Sequence, residues 1–355
     1  MHICAIAPSC HRTIAPIMGS VKDFTVIEKA EGAKTGVGQF TFSDRYSVFD
    51  WGEMPDHIDG KGAALCITSA YFFERLLEKG IKSHYLGVIE DGEVKKLSDL
   101  KGPQSTMQIK LVRVIRPEIQ NNTYNYSVFK KEKMNFLIPL EVIYRNSLPE
   151  GSSVFKRLKS GTLTIEQLGL KEMPKPGTKL EKPLFDVSTK LESTDRYLTW
   201  DEAMTISGMT RSELEELKKG VFEIDTLLTK EVSKAGLSNE DGKVEFGFDE
   251  KRNLMLLDTV GTLDECRFTY GGFPVSKEIL RMHYRGTSLH NEVEEAKKKG
   301  GIEWKKIVKS RPEPLAKAMK ELVSELYKAS CNEITERQWF KNVRSVEKVL
   351  REITK

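Results

Sequence analysis

The hydrophobic pattern near the start of the chain is typical of two strands joined by a glycine-rich turn. Apolar residues alternate with polar ones in residues 24–27 and 40–42, and the stretch between them, 31–38, is rich in glycine. A period of two predicts strands, and the turn predicts that they pair. A Rossmann fingerprint or a P-loop requires a helix directly after its glycines, so this pattern disfavours both.

A helical period replaces the alternation in residues 63–77, and Gly80 stands where such a helix would end. We therefore expect a buried helix. Short β-like stretches follow at 107–115 and 136–138, divided by glycine, proline and polar residues. The first 140 residues thus predict a mostly antiparallel sheet with one helix.

The second half of the chain predicts helices with defined starts. Thr199 would cap a helix beginning at Trp200, and Thr210 with Glu213 has the spacing of a capping box. The helix after Thr210 should reach about residue 236.

A hairpin should follow these helices. Residues 243–248 alternate strictly between polar and apolar side chains and precede an apolar run that ends at Asp258. A four-residue loop would pair Asp249 with Leu254 and place Glu245 opposite Asp258.

Lys243, Glu245 and Asp258 would then share one face of the hairpin. This set suits a site for Mg²⁺ and a polyphosphate, because Mg²⁺ takes one or two protein carboxylates and completes its shell with phosphate oxygens and water. The alternative is an exposed hairpin whose charges only maintain solubility. Asp258 favours the site, since a carboxylate ending an apolar run is costly to bury unless something binds it.

Candidate anion-binding residues lie on both sides of the hairpin in the chain. Arg145 and Ser152 combine a guanidinium with a hydroxyl, which suits a phosphorylated or carboxylated small molecule. Arg267, Lys277 and Arg281 add cations behind the hairpin. A surface salt bridge explains any one of them alone, but their accumulation favours a site for an anionic substrate.

The glycine-rich turn is a weak candidate for phosphate binding, and Lys61 is a better one on physical grounds. Lys61 stands at the predicted start of a helix, where a cation and unpaired N–H groups attract anions. The turn could close its N–H groups over phosphates, although glycines at a hairpin usually form only a turn.

The composition narrows the class of protein. The 355 residues include 56 Lys+Arg and 52 Asp+Glu, a net charge of +4, and 39% are hydrophobic. We therefore expect a folded protein with no nucleic-acid partner. No run approaches the roughly 18 apolar residues of a membrane span, and the five cysteines lack C-x-x-C spacing. A reduced, cytoplasmic protein with no membrane partner is expected, and a homo-oligomer is compatible with the sequence.

The elements divide the chain into four parts. We expect a disordered extension at 1–17, an N-terminal antiparallel β lobe with one helix at 18–140, an α+β lobe at 141–288 and a C-terminal helical segment at 289–355. A Lys-, Pro- and Gly-rich stretch at 171–182 predicts a linker.

The chain resembles the SAICAR synthetase (phosphoribosylaminoimidazole-succinocarboxamide synthase) family of purine biosynthesis, from about Phe24 to Arg285, and looks most like its archaeal members. The motifs that carry the resemblance are, in order, Ser43 to Asp50, Gly60-Lys61-Gly62, Pro139 to Asn146 with Gly151-Ser152, Pro183 to Asp186 with Lys190 and Asp195, Lys243 to Gly247, Leu257-Asp258, Thr262 to Arg267, and Ser276-Lys277 with Arg281. Each motif is modest alone, but their common order is specific.

The resemblance implies an α+β, SAICAR-synthetase-like fold related to ATP-grasp enzymes, with ATP and the ribonucleotide bound in the 141–288 lobe. It implies a ligase that uses ATP and Mg²⁺ to join carboxyaminoimidazole ribonucleotide (CAIR) to L-aspartate through an acyl phosphate. The implied catalytic residues are Lys243, Glu245 and Asp258. The implied metal ligands are Glu245, Asp258 and Asp195, and the implied ATP-binding residues are Lys34, Lys61, Glu245 and Asp258. The implied substrate-binding residues are Arg145, Ser152, Asp264, Arg267, Lys277 and Arg281.

Departures from the family pattern leave some roles open. Ala33-Lys34 replaces the usual Gly-Lys pair, so either Lys34 or Lys61 could meet the ATP phosphates. Asp258-Thr259 replaces the usual Asp-Glu. Two other functions remain as alternatives: a kinase-like phosphotransferase on another small-molecule acceptor, and a non-catalytic nucleotide-binding protein.

Overall fold

The computed structural model describes residues 17–19, 21–120, 123–299 and 301–355. The extension predicted at 1–17 lies outside these ranges apart from Ile17, which belongs to the first strand. No helix among the described residues is long and apolar enough to cross a membrane.

The first sheet has six strands, all paired antiparallel, as the sequence predicts. In chain order they are β1 (Ile17–Met18), β2 (Lys22–Glu28), β3 (Gly36–Phe42), β4 (Tyr85–Glu90), β5 (Glu93–Lys95) and β6 (Thr106–Leu111), and their spatial order is β1-β2-β3-β6-β4-β5. A separate two-stranded ribbon consists of β7 (Glu118–Gln120) and β8 (Thr123–Asn125).

The second sheet carries the later candidate residues. Its strands are β9 (Phe136–Leu148), β10 (Thr178–Thr189), β11 (Ser238–Phe248), β12 (Leu254–Leu257), β13 (Cys266–Tyr270) and β14 (Phe273–Val275). They follow the order β10-β9-β11-β13-β14, with β12 paired to β11. Strand β9 runs across the boundary expected at 140/141, and one hydrophobic core extends from the first sheet into the second.

Eight α-helices lie in the described residues. They are α1 (Lys61–Glu78), α2 (Ser153–Ser160), α3 (Trp200–Ser207), α4 (Arg211–Lys234), α5 (Glu278–Tyr284), α6 (Ser288–Lys299), α7 (Lys317–Ile334) and α8 (Val346–Ile353). Short 3₁₀ turns occupy Leu97–Asp99, Ser127–Lys130, Glu166–Leu168 and Gly301–Ile307. The predicted caps are confirmed: Thr199 accepts from the N–H of Glu202, and Thr210 and Glu213 form the reciprocal capping box.

The hairpin of β11 and β12 is confirmed, but its predicted register is wrong by one residue. Glu245 lies opposite Leu257 rather than Asp258, and Leu254 pairs with Phe248 rather than Asp249. The Asp249 carboxylate accepts from the N–H groups of Lys251 and Asn253, both at 2.8 Å. The backbone N–H of Asp249 also donates to the Asn253 carbonyl at 3.0 Å, so Asp249 faces Asn253 and the loop closes one residue earlier than predicted.

The predicted linker is also wrong from Thr178 onward. Thr178 and Lys179 pair with Leu148 and Ser147 as the start of β10. The pairing is irregular between Lys179 and Leu184, and Pro183, which has no N–H to donate, is tolerated in such a bulge.

Candidate active site

One face of the second sheet gathers the charged candidate residues. Strand β11 pairs with β9 so that Asp241 lies opposite Arg145 and Glu245 lies opposite Glu141, with Lys243 between them on the same face. Opposed residues in an antiparallel pair project to the same side, and every second residue follows them. Of the intervening residues, Val142, Tyr144 and Val244 join the main core.

Arg145 is buried at the centre of a polar network. Only 2% of it is exposed, and its guanidinium donates to Asp241 at 3.2 Å, Asp186 at 3.3 Å and Ser152 at 3.5 Å. A buried guanidinium stays charged, so it requires such partners. The Ser152 hydroxyl also caps α2 by accepting from the N–H of Val154. The structure therefore brings Arg145 and Ser152 together, as the sequence analysis expects.

Arg267 of β13 shares an aspartate with Arg145. Its Nε donates to Oδ1 of Asp241 at 2.7 Å, and a second nitrogen donates to Oδ2. The Tyr197 hydroxyl lies 3.3 Å from Arg145 and 2.6 Å from the Ser153 hydroxyl. Two guanidiniums thus lie side by side, held by one carboxylate.

Lys190 bridges the opposed carboxylates of Glu141 and Glu245, and Lys243 pairs with Glu141. Lys190, which directly follows β10, donates to Glu141 at 3.0 Å and to Glu245 at 2.5 Å, and Lys243 donates to Glu141 at 3.1 Å. Burial disfavours the charge of Lys190, but Glu245 and Glu141 outweigh it and raise its pKa. Burial also disfavours the charge of Lys243, but Glu265 and Glu141 outweigh it and raise its pKa, so both lysines remain charged near neutral pH.

Asp258 lies close to Glu245 despite the shifted register. It follows β12 in the left-handed region, with φ 63°, so the regular alternation of the strand ends there. Burial and the neighbouring Asp258 raise the pKa of Glu245. Burial opposes the charge of Asp258 too, but Lys22 and Lys190 outweigh it and lower its pKa. Lys22 of β2 also forms an ion pair with Asp258.

Two cavities open along this polar face. One, of about 330 Å³, is lined by Arg145, Asp195, Lys243, Asp264, Arg267, Lys277 and Arg281, among others. The second, of about 210 Å³, has mainly apolar walls, including Phe24, Phe40, Leu111 and Leu137, and also exposes Glu245 and Asp258. We call them the anion cavity and the apolar cavity. Lys243 and Glu245 are two residues apart on one strand, a rise of about 7 Å.

A larger cavity, of about 720 Å³, lies elsewhere, between α7 and the segment 339–343. Two of the lysines that line it form ion pairs within the protein: Lys320 pairs with Asp56, and Lys328 pairs with Asp59. Because the buried polar network around Arg145 lies on the second sheet and not at this cavity, we take the second sheet as the candidate active site.

The remaining candidates of the anion cavity differ in how they are paired. Among the described residues, no carboxylate forms an ion pair with Lys277, whose pKa is lowered by burial. Arg281 pairs with Glu278 at 3.2 Å. Burial and the nearby Glu141 raise the pKa of Asp195. Lys277 is therefore a cation that an anionic ligand could pair with.

Lys34 and Lys61 have contrasting positions. Lys34 lies on the glycine-rich turn with an exposed side chain that pairs with Glu28. Lys61 is completely buried at the start of α1, and its ammonium donates to Asp264 at 2.7 Å. Lys61 thus reaches the anion cavity only through Asp264.

Asp241 and Lys22 are among the site residues that the sequence reasoning missed. Asp241 lies two residues before Lys243, so extending the alternation of residues 243–248 backwards would have placed it on the polar face. Lys22 is 236 residues from Asp258 in the chain, and nothing in the local pattern indicates that they meet.

Comparisons with known proteins identify the family of the chain. A family model described as SAICAR synthetase matches residues 29–296. A relative from Archaeoglobus fulgidus is 51% identical over 323 residues, covering 91% of this chain and 95% of that protein. A phosphoribosylaminoimidazole-succinocarboxamide synthase of Thermoplasma acidophilum is 35% identical over 312 residues, covering 84% of this chain and 93% of that protein.

Solved structures of the same name share the fold. A Saccharomyces cerevisiae SAICAR synthase, described as complexed with SAICAR, superposes with a TM-score of 0.63 at 20% identity, covering 94% of this chain and 97% of that one. A SAICAR synthetase described as in complex with ADP gives a TM-score of 0.54 at 20% identity, covering 84% of this chain and 100% of that one. The expected α+β fold is confirmed.

Proposed function

The chain belongs to the SAICAR synthetase family, the ATP-dependent ligases of purine biosynthesis, and from this premise we propose that it joins the carboxylate of CAIR to the amine of L-aspartate. The observation that carries the proposal is the adjacency of the two cavities on one sheet face. Lys190 bridges Glu141, which lines the anion cavity, and Glu245, which lines the apolar cavity, and Lys243 lines the anion cavity beside them.

We propose that the anion cavity holds the ribonucleotide. Arg145 and Arg267, fixed by Asp241, present a rigid positive surface that suits a phosphate or carboxylate. Lys277 lacks an ion-pair partner among the described residues, and Arg281 adds a second cation from α5. Ser152 begins a helix whose first N–H groups favour an anion. CAIR carries both a phosphate and a carboxylate, which matches these groups.

We propose that the apolar cavity holds the base of ATP. Its walls of phenylalanine and leucine side chains suit a flat ring, and its charged end, at Glu245 and Asp258, would face the phosphates. A related structure described with ADP supports the choice of nucleotide. Lys34, on the turn between β2 and β3, stays the candidate for a phosphate contact. Lys61 does not, because its ammonium is enclosed against Asp264.

The residues at this charged end fit Mg²⁺. Glu245 and Asp258 offer only oxygen donors, and burial together with the neighbouring Asp258 raises the pKa of Glu245. The chemistry of these two carboxylates suits Mg²⁺, which prefers oxygen ligands. The described residues contain no cluster of three or more candidate metal ligands. Phosphate oxygens and water would complete the shell of an ion held by two carboxylates. Glu245 and Asp258 would hold the ion, whereas Asp195, the third ligand that the resemblance implies, lines the anion cavity and forms no three-ligand cluster with them in the described part of the chain. When bound, Mg²⁺ would neutralise charge on the phosphates.

The chain's own groups then account for the reaction. A carboxylate oxygen of CAIR attacks the γ-phosphorus of ATP, and ADP leaves with the electrons of the broken P–O bond. Lys190 and Lys243 stabilise the charge that develops there. The aspartate amine next attacks the acyl carbon, phosphate departs with one former carboxylate oxygen, and the amine proton passes to solvent. Positioning the reactants suffices, so no protein nucleophile is required.

The test is to incubate the purified protein with ATP, Mg²⁺ and CAIR, with and without aspartate, and to follow ADP. ADP release that depends on both CAIR and aspartate supports the ligase. Release indifferent to aspartate would instead identify a phosphotransferase, and no release would identify a nucleotide-binding protein. The cytoplasmic location and the homo-oligomer stay predictions from the sequence.

A further inference from the structure

Helix α7, in the C-terminal helical segment, contributes a tyrosine to the network around the anion cavity. The Tyr327 hydroxyl donates to Oδ1 of Asp264 at 2.7 Å, and the Lys61 ammonium donates to Oδ2 at 2.7 Å. Each oxygen of Asp264 is therefore held from a different helix. Tyr327 also lies beyond residue 296, where the family match ends.

Burial makes this arrangement rigid. Tyr327 is 2% exposed and Lys61 is completely buried, whereas the side chain of Asp264 retains 10% exposure and lines the anion cavity. The Lys61 ammonium also lies 5.4 Å from the centre of the Tyr327 ring. A buried ammonium without a partner would be costly, so Lys61 and Asp264 hold each other in place.

The orientation of Asp264 leaves part of it for a ligand. A carboxylate accepts about four hydrogen bonds, and each oxygen of Asp264 uses one on Tyr327 or Lys61. Burial opposes the charge of Asp264, but Lys61 and Lys277 outweigh it and lower its pKa. The carboxylate is thus a fixed, charged acceptor at the wall of the cavity.

We infer that Tyr327 and Lys61 are positioning residues that aim the Asp264 carboxylate at a hydroxyl or amine of a substrate in the anion cavity. This inference rests on the proposed function of that cavity. It gives the C-terminal helical segment a role in substrate binding. It also assigns Lys61 to the binding of CAIR or aspartate rather than of ATP.

The test compares Tyr327→Phe with a matched control. The variant removes one hydroxyl and keeps the ring, so the packing of α7 is retained. Tyr71→Phe is the control, because Tyr71 also donates to a carboxylate, Glu231, at 2.5 Å but contacts neither cavity. We expect Tyr327→Phe to lower kcat/KM for CAIR or aspartate about tenfold, the effect of losing one hydrogen bond to a charged group, with the KM for ATP unchanged.

A purely structural role would give a different result. It would lower the melting temperature and affect ATP, CAIR and aspartate alike. That pattern, or kinetics of Tyr327→Phe equal to those of Tyr71→Phe, would overturn the inference. Lys61→Met should show the same selectivity for the acid substrates if it folds.

Failure of the proposed function is detected separately, since the wild-type protein would then show no aspartate-dependent turnover. The inference is in that case judged by the increase in melting temperature that CAIR produces. A smaller increase for Tyr327→Phe than for Tyr71→Phe supports the positioning role, and an equal increase contradicts it.

Discussion

Glu141 and Glu245 lie directly opposite each other on β9 and β11, and the ammonium of Lys190 bridges their carboxylates. Like charges at opposed positions of a sheet repel, so the pair is tolerated because of the lysine between them. The same carboxylates, of which Glu141 lines the anion cavity and Glu245 the apolar cavity, hold Lys190 between them. The arrangement that would otherwise destabilise the sheet therefore fixes a cation at the proposed site of phosphoryl transfer.

Replacement of this cation should remove activity. Lys190→Met keeps the length of the side chain but leaves Glu141 and Glu245 facing each other without a cation between them. We expect turnover to fall by about 100-fold or more, the effect of losing one group that stabilises transition-state charge. Lys219→Met, at an exposed position of α4, is the control and should be neutral. Equal activities of the two variants would exclude Lys190 from the mechanism.

Asp258→Asn should abolish turnover without unfolding the protein. The substitution keeps the shape of the side chain but removes the charge that pairs with Lys22 and that we assign to the metal-ATP end. Steady-state assays should show a loss of about 100-fold, while the melting curve keeps a single cooperative transition. The control is Asp91→Asn, in the exposed turn between β4 and β5. Full activity of Asp258→Asn would remove this carboxylate from the account.

The polar face of the hairpin could be predicted because alternation is a local property. Lys243 and Glu245 are on the face that the sequence indicates, and continuing the same period would have added Asp241. The register could not be predicted, because it depends on how the loop closes at Asp249. A one-residue difference in loop length is invisible to the hydrophobic pattern.

Contacts between distant segments were beyond the sequence. Tyr327 is 63 residues from Asp264 and belongs to a helix whose pattern indicates only burial. At Lys61 the local pattern gave a definite prediction that packing changed. Its position at a helix start favoured an anionic ligand. The structure fills its surroundings with Asp264 instead. The identity of a buried cation's partner is set by tertiary packing.

A stability prediction follows from Glu213, which accepts from the N–H of Thr210 and from Arg252 at 2.6 Å and 3.1 Å. Burial opposes its charge, but Arg252 and Thr210 outweigh it, so its pKa lies below the ordinary value of 4.5. A lowered pKa stabilises the folded state above the unfolded value, and this stabilisation is lost as pH falls through the folded value.

Glu213→Gln should therefore lower the free energy of unfolding at pH 7 by about 1–3 kcal/mol. The difference from wild type should shrink as pH falls below about 4.5. Urea unfolding across this pH range provides the measurement. Glu215→Gln, whose carboxylate is more exposed on the same helix, is the control and should have little effect. A difference for Glu213→Gln that does not change with pH would contradict the assignment.

Close packing at Gly242 should make β11 intolerant of a side chain there. A Cβ at this position would lie 2.2 Å from the Tyr144 hydroxyl and 2.9 Å from Sγ of Cys266. Gly242→Ala should lower the free energy of unfolding by about 1–3 kcal/mol through overpacking. Gly220→Ala, in the open middle of α4, should instead raise it by about 0.5–1 kcal/mol. Urea titration distinguishes them, and a Gly242→Ala protein as stable as wild type would refute the predicted overpacking.

The central claim is that the CAIR carboxylate attacks ATP across the junction of the two cavities, where Lys190 lies. The most direct measurement labels both oxygens of that carboxylate with oxygen-18 and determines the isotope content of the released phosphate by mass spectrometry. Passage through an acyl phosphate predicts one labelled oxygen in each phosphate formed during aspartate-dependent turnover. Unlabelled phosphate under the same conditions would contradict the account.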